Sequence, residues 1–293
     1  MGFFWLLLAY ALVLALLGSA EAFSAPNPVL AALSPKQQSQ ISDLEAMLSE
    51  WNTKINLVSR KDIANLHERH ILPCLAVAKA LEPSLLELGS AKVLDVGTGG
   101  GLPGLPLAIC FPDTAFTLVD GRGKKILAVT DMAERLGLTN VEPLHVRAEE
   151  LKRSGQYDYV LGRAVTSLPG FVGWVEGSLK RNADGFGTAT EGTSIPAVLG
   201  DDDLVSGIFE PEAPAEDLNE VPPGALLGRG VIYIRGETTS EELTALGTNP
   251  SSVVRLGPIL GQKPSSSSDL GYSSIFHFTT EALRERRPSP AAP

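Results

Sequence analysis

The chain has 293 residues, 44% apolar and 20% charged, which is enough to build a real core and excludes wholesale disorder. Its net charge of −10 argues against a general nucleic-acid coat, and its two cysteines, Cys74 and Cys110, are too few for a disulfide framework or an all-cysteine zinc site. The average charge hides a local bias: residues 183–222 hold ten acidic residues and no Lys or Arg, so the rest of the chain is balanced and a local RNA-binding patch stays open.

Residues 1–22 read as a signal peptide. Gly2 to Ala20 carries no charge, Phe3 to Leu17 is almost wholly apolar, and Gly18-Ser19-Ala20-Glu21-Ala22 offers small residues for cleavage after Ala22. An uncleaved anchor is the alternative, since the stretch is at the lower limit for a span. Residues 23–33 then begin Phe23-Ser24-Ala25-Pro26, and no acidic residue occurs between Glu21 and Asp43. That is transit-peptide composition. The two parts together resemble the bipartite presequence of algae with secondary plastids. The expected destination is the plastid, with no stable membrane association after processing; a secreted or endomembrane protein is the alternative. Two lone thiols in apolar surroundings suit a reducing compartment.

Residues 34–91 are expected to be helical. Ser34-Pro35-Lys36-Gln37 is a capping box, Ile41, Leu44, Met47, Leu48 and Trp51 follow helical spacing, and a second helix is predicted over 62–81. Residues 92–182 alternate strand and helix: strands over 92–96, 116–120, 141–146 and 157–161, helices near 106–111, 124–136 and 168–179. An acidic, Gly- and Pro-rich insertion, 183–224, is expected to be solvated and disordered. Strands over 230–235, 253–256 and 274–278, with a helical turn over 241–246, complete the sheet within 225–283. The stretch 262–271 and the tail 284–293 read as loops. The rhythm predicts an α/β fold: an open, mostly parallel sheet with helices on both faces.

The chemistry concentrates in Asp95-Val96-Gly97-Thr98-Gly99-Gly100-Gly101-Leu102-Pro103-Gly104. Glycines let the backbone turn sharply beneath a ligand, and the next helix points its N–H groups at it. Gly99, Gly101 and Gly104 match the dinucleotide pattern G-x-G-x-x-G, and Asp120 ends the next strand, where a carboxylate can accept ribose hydroxyls. Three features favour a methyl donor over a nicotinamide dinucleotide. Asp95 would repel a pyrophosphate but suits a sulfonium. No Tyr lies four residues before a Lys for hydride chemistry. Arg147-Ala148-Glu149 follows the third strand, where it can reach an adenine edge.

Trp51-Asn52 with Asn56-Leu57, Arg69-His70-Ile71-Leu72, the 95–104 loop, Leu118-Val119-Asp120 with Lys124-Lys125, Leu136-Gly137-Leu138 with Asn140-Val141, and Arg163-Ala164 with Ser167-Leu168 occur in one order. In this the chain resembles the bacterial small-subunit ribosomal RNA (guanine-N7)-methyltransferase G family, also called glucose-inhibited division protein B. The resemblance covers residues 40–180 well and 225–280 loosely. It implies a class I methyltransferase fold, Rossmann-like. It also implies S-adenosylmethionine contacts at Gly97, Leu102, Ala148, Glu149 and Arg163. The chemistry of the loop and of the second strand adds Gly99 and Asp120. The implied substrate is one guanine of 16S-type rRNA, here of the plastid, met as rRNA or small subunit by a monomer.

Guanine N7 has an in-plane lone pair and no proton, so its methylation needs orientation rather than a base, and no catalytic residue is expected. Arg69, Lys124, Lys125 and Arg235 are candidates for RNA contacts, and Arg163 could share that role. His67 and His70, at i and i+3, do not make a metal motif, and none is expected. His145, His277, Trp174, Cys74 and Cys110 read as structural, and Trp51 as a core anchor rather than a base-stacking platform. Other readings are an idle rRNA-binding assembly factor, motivated by Pro73, Arg235 and the insertion, and a small-molecule methyltransferase.

Overall fold

Short apolar runs become strands when both their faces are covered. The structure is a computed structural model that describes residues 27–151, 155–180, 219–222, 224–235, 240–261 and 274–286. The expected signal peptide, almost all of the acidic insertion, and the 262–271 loop lie outside the described residues.

The strands are β1 Lys92–Val96, β2 Ala115–Asp120, β3 Val141–His145, β4 Tyr159–Arg163, β5 Gly230–Arg235, β6 Ser252–Arg255 and β7 Ser274–Thr279. They form one sheet in the order β3-β2-β1-β4-β5-β7-β6. The pairings from β3 to β5 are parallel, whereas β7 runs antiparallel to both β5 and β6. The mostly parallel α/β sheet is therefore present, with one reversed strand.

The helices are α1 Pro28–Ala31, α2 Pro35–Asn52, α3 Leu72–Leu88, α4 Gly104–Cys110, α5 Gly123–Arg135, α6 Leu168–Val175, α7 Ser240–Leu246, α8 Leu256–Ile259 and α9 Thr280–Glu285. Side chains alternate across the sheet. Val93, Leu118, Tyr159, Leu161, Ile232 and Ile234 join the layer built by α2 to α5 and α8. Leu94, Val119, Val160, Val231 and Tyr233 join the layer built by α6, α7 and α9. The chain moves outward from β1 to β3, then crosses to β4 on the other side of β1. Ligands of such sheets sit at that switch, beyond the strands' C-terminal ends.

Local signals explain most boundaries. Ser34 Oγ accepts from the Gln37 N–H (3.4 Å) while Gln37 Oε1 accepts from the Ser34 N–H (3.0 Å), completing the capping box of α2. Trp51 is an anchor: its Nε1 donates to Asp131 Oδ2 on α5 (2.7 Å).

Several elements differ from expectation; the helix expected over 168–179 ends at Val175, and a 3-10 turn, Glu176–Ser178, follows it. The second helix begins as a 3-10 turn (Ile63–Asn65) and a π-helical turn (His67–Ile71), then runs through Pro83 to Leu88 because Leu81, Ser84 and Leu85 continue its buried face. β4 starts and ends two residues late, since pairing with β1 sets Val93 opposite Tyr159 and Val96 opposite Gly162, and pairing with β5 carries the strand on to Arg163. Part of the tail folds as α9, capped by Thr279 Oγ1, which accepts from the Ala282 N–H. The end of the transit-like segment forms α1, and Val29 is buried in the core. Among the described residues no helix is long and apolar enough to cross a membrane.

His277 sits in the middle of β7, paired with Ile232 and Ser252, and its Nε2 lies 2.8 Å from the Gly228 carbonyl. Burial pushes its pKa down to about 4, from 6.5, against the favourable pull of that carbonyl. The folded chain then binds fewer protons than the unfolded chain between those values, so this stabilisation is complete above the window and lost as pH falls through it. The shift is worth roughly 3 kcal/mol. Urea midpoints measured from pH 7 to pH 4 are expected to fall for the native chain and to fall less for His277→Gln, whose amide can keep the bond to Gly228. An identical slope in both proteins would contradict this.

Candidate functional site

At the end of β1 the chain must reverse into α4 within a few residues. Asp95 organises that reversal. Its Oδ2 accepts from the Thr98 hydroxyl (2.7 Å) and the Gly104 N–H (3.0 Å), while Oδ1 has no hydrogen-bond partner. A Cβ on Gly104 would lie 2.7 Å from that Oδ2, so glycine is needed for the helix to start so near the carboxylate. Burial pushes the Asp95 pKa up to about 6, with both bonds pulling the other way. The residue is 1% exposed and does not line the cleft above it. Its expected attraction for a sulfonium therefore gives way to a structural duty beneath the loop.

Above the loop lies a cleft of about 640 Å³ at the C-terminal ends of β1 to β4. Of the expected cofactor residues, Gly97, Asp120, Ala148, Glu149 and Arg163 line it. Asp120 ends β2 with Oδ2 accepting from the Gly99 N–H (3.1 Å) and Oδ1 from the Arg122 N–H (2.8 Å). A carboxylate has about four acceptor sites, so both oxygens keep capacity for a pair of ribose hydroxyls. Gly97 has φ +70°, and a Cβ there would meet both Val165 methyls at 3.0 Å, so the bare backbone forms part of the cradle. Ala164, also in the wall, is held at φ 48°, a costly conformation for a residue with a Cβ and one that clusters at ligand sites.

Gly99 sits beside the cleft through its bond to Asp120, whereas Leu102 is 3% exposed and packs in the core beneath the loop. The RNA candidates divide. Lys125 lines the cleft and Lys124 is exposed one residue before it. Arg69 is paired with Asp62, and Arg235 is held by both oxygens of Glu242 at 2.8 and 2.7 Å. Arg163 Nη1 lies 3.8 Å from Cys74 Sγ. Arg122 and Arg147 also line the cleft; Arg147 belongs to the Arg147-Ala148-Glu149 stretch already marked after the third strand, whereas nothing in sequence marks Arg122. Their common signal is proximity to Asp120 and to Ala148, visible only once β2 and β3 are seen as neighbours. His70 is buried with neither ring nitrogen bonded, and burial lowers its pKa to about 4. Among the described residues no group of three or more His, Cys, Asp or Glu could hold a metal.

The donor set thus fits a nucleoside: a carboxylate for the ribose, bare glycine backbone, and a polar wall after β3. Comparison with known proteins agrees. A family model described as GidB, rRNA small subunit methyltransferase G, matches residues 37–186, just over half of the chain. The "Ribosomal RNA small subunit methyltransferase G" of Christiangramia forsetii is 49% identical over 150 residues, covering 51% of this chain and 68% of that protein. The protein of the same name from Flavobacterium psychrophilum is 48% identical over 145 residues, covering 50% and 66%. A SAM dependent methyltransferase from Aquifex aeolicus is similar at 20% identity over 42% of this chain and 68% of that one, with a TM-score of 0.32, too partial to add to the strand order.

Two substitutions separate a pin beneath the loop from an electrostatic partner of the ligand. Asp95→Asn keeps an acceptor for Thr98 and Gly104 and is expected to change S-adenosylmethionine affinity less than threefold. Asp95→Ala releases both donors and is expected to cost tenfold or more, by about 1–3 kcal/mol for the buried groups left unpaired. Isothermal calorimetry checks both; an equal loss in the two variants would restore the electrostatic reading.

Proposed function

The chain belongs to the rRNA small subunit methyltransferase G family, and from that premise we propose that it methylates guanine N7 in small-subunit, 16S-type rRNA of the plastid, using S-adenosylmethionine. The observation that carries the reading is that every residue lining the cleft, from Gly97 to Val165, falls inside the matched stretch 37–186. The matched segment spans about two thirds of the length of the Christiangramia and Flavobacterium proteins. The plastid destination rests on the composition of residues 1–33.

When bound, the cofactor supplies an electrophilic methyl on a sulfonium. The chain's work is orientation. Asp120, fixed by two backbone amides, accepts the ribose hydroxyls with its remaining lone pairs. Gly97 lets the ligand lie against the backbone, and Ala148 and Glu149 border the side where a base would sit. Guanine N7 is already a nucleophile, so no residue has to remove a proton. Holding it in line can supply ~7–11 kcal/mol of the barrier. This chemistry requires no general base. A flat base in folded RNA must still be exposed before it can enter.

Reverse-transcription mapping of N7-methylguanine in plastid small-subunit rRNA, with and without the protein, tests the assignment. Loss of one modified guanine is expected. RNA binding with no methyl transfer from labelled donor would select the assembly-factor reading, and a methylated metabolite the small-molecule one. Residues 1–33 fused to a fluorescent protein are expected to direct it to the plastid; secretion would remove that part of the proposal. For the site, Asp120→Ala is expected to weaken S-adenosylhomocysteine binding by roughly 10–100-fold, the worth of hydrogen bonds to a charged group.

A further inference from the structure

The register of β2 against β3 places Asp120 opposite His145, which brings two stretches 25 residues apart into one lip. The turn Gly121-Arg122-Gly123 is covered by side chains leaving β3. A Cβ on Gly121 would lie 3.2 Å from Arg147 Cγ, and one on Gly123 would lie 3.2–3.5 Å from the His145 ring. His145 Nε2 lies 3.2 Å from the Gly121 carbonyl. The two glycines are therefore seats: the stem of Arg147 and the ring of His145 rest on bare backbone. Arg122 stands between them, and Lys125 reaches across so that its Nζ is 3.7 Å from where a Gly99 Cβ would be.

Charge accounting sets this lip apart. Arg122, Lys124 and Arg147 are exposed and Lys125 is half-buried. Among the described residues none of these four has a carboxylate within 4.0 Å. Several cations elsewhere are committed, Arg69 to Asp62, Arg135 to Glu50 and Asp131, Arg235 to Glu242, and those without an ion pair among the described residues, Lys36, Arg60, Lys61, Lys92 and Arg284, do not line the cleft. The acids in the same cleft are Asp120 and Glu149, two carboxylates against the four cations of the lip. The first turn of α5 contains no acidic residue and starts without a side-chain cap, so its positive end adds to the repulsion among Arg122, Lys124 and Lys125. An arrangement that accumulates unneutralised positive charge at a ligand cleft is stabilised by an anion laid across it.

We infer that the β2–β3 lip, Arg122, Lys124, Lys125 and Arg147, binds the phosphates of the RNA strand flanking the target base. This deepens the rRNA reading and rests on it. The strand enters over β2 and β3 rather than over the side of Arg69 or Arg235, whose charges are already spent. Exposed guanidiniums suit phosphate because they offer planar, paired donors.

The test is RNA binding, which is separate from turnover. Filter retention of unmethylated 16S-type rRNA by the full chain is measured at several salt concentrations. Arg122→Gln/Arg147→Gln is expected to bind at least tenfold more weakly, with a log–log salt slope shallower by about 1.4, because each phosphate left unneutralised removes about 0.7. Gly121→Ala, which displaces the Arg147 stem without removing charge, is expected to weaken binding by a smaller factor. Lys36→Gln, an exposed lysine at the opposite end of the sheet, is expected to match the native chain. Native affinity and slope in the double variant would overturn the proposal. So would a parallel loss of S-adenosylhomocysteine binding, which would assign the lip to the donor's own carboxylate. Failure of the native chain to methylate rRNA while these binding differences persist would count against the enzymatic reading alone.

Discussion

A buried carboxylate with one oxygen bonded twice and the other bare is costly to keep, and the cleft depends on one. Asp95 joins the end of β1 to the start of α4, and the glycine turn between them has its shape because that carboxylate takes the Thr98 hydroxyl and the Gly104 amide. With the turn so held, the Gly99 amide faces Asp120 on the neighbouring strand. The two carboxylates end adjacent parallel strands yet do different things. Asp95 is enclosed by the turn and by the side chain of Leu118 and shapes the backbone, while Asp120 lies at the cleft wall and keeps lone pairs for a ligand. The division of labour follows from depth, not from residue type.

Depth is what a linear sequence conceals, and the expectations divide along that line. β1 and β5 were legible to the residue, because each is a short, mostly apolar run between breakers, interrupted in β1 by Asp95. The start of α2 was legible because a capping box is a local arrangement within four residues. The end of β4 was not, since Gly162 and Arg163 look like loop. Gly162 is there because a Cβ would strike the Phe171 ring at 2.4 Å, and Arg163 because the strand ends at a cleft. The glycine turn and Asp120 could be read as a nucleoside site, but which side chains around them face inward could not. Asp95 and Leu102 turn into the protein.

Pairing was equally hidden. Arg235 looked available in sequence, yet at the end of β5 it pairs with both oxygens of Glu242, seven residues on in α7. Nothing local links Arg122 to Arg147; only the parallel register of β2 and β3 does. A parallel sheet needs long crossovers, so its strand-end clusters are assembled from distant residues. Sites at such ends are therefore the least visible part of a chain whose strands are the most visible.

The same topology reconciles an acidic chain with a basic cleft. Lys180 and Arg229, which flank the acidic stretch, both pair with Asp158 at 2.7 Å. Asp158 immediately precedes β4, is 1% exposed, and also accepts from the Lys92 N–H at the first residue of β1. These contacts fix both flanks at the N-terminal end of the strands, whereas the cleft opens at the C-terminal end. Surface charges act over about 8–10 Å at physiological salt. A strand-length of sheet is longer than that: five residues rise about 16 Å. Lys180 and Arg229 are thus held about a strand's length from Arg122 and Arg147. A net charge of −10 is a sum over both ends, and what an anion meets at the cleft is set by the end it approaches.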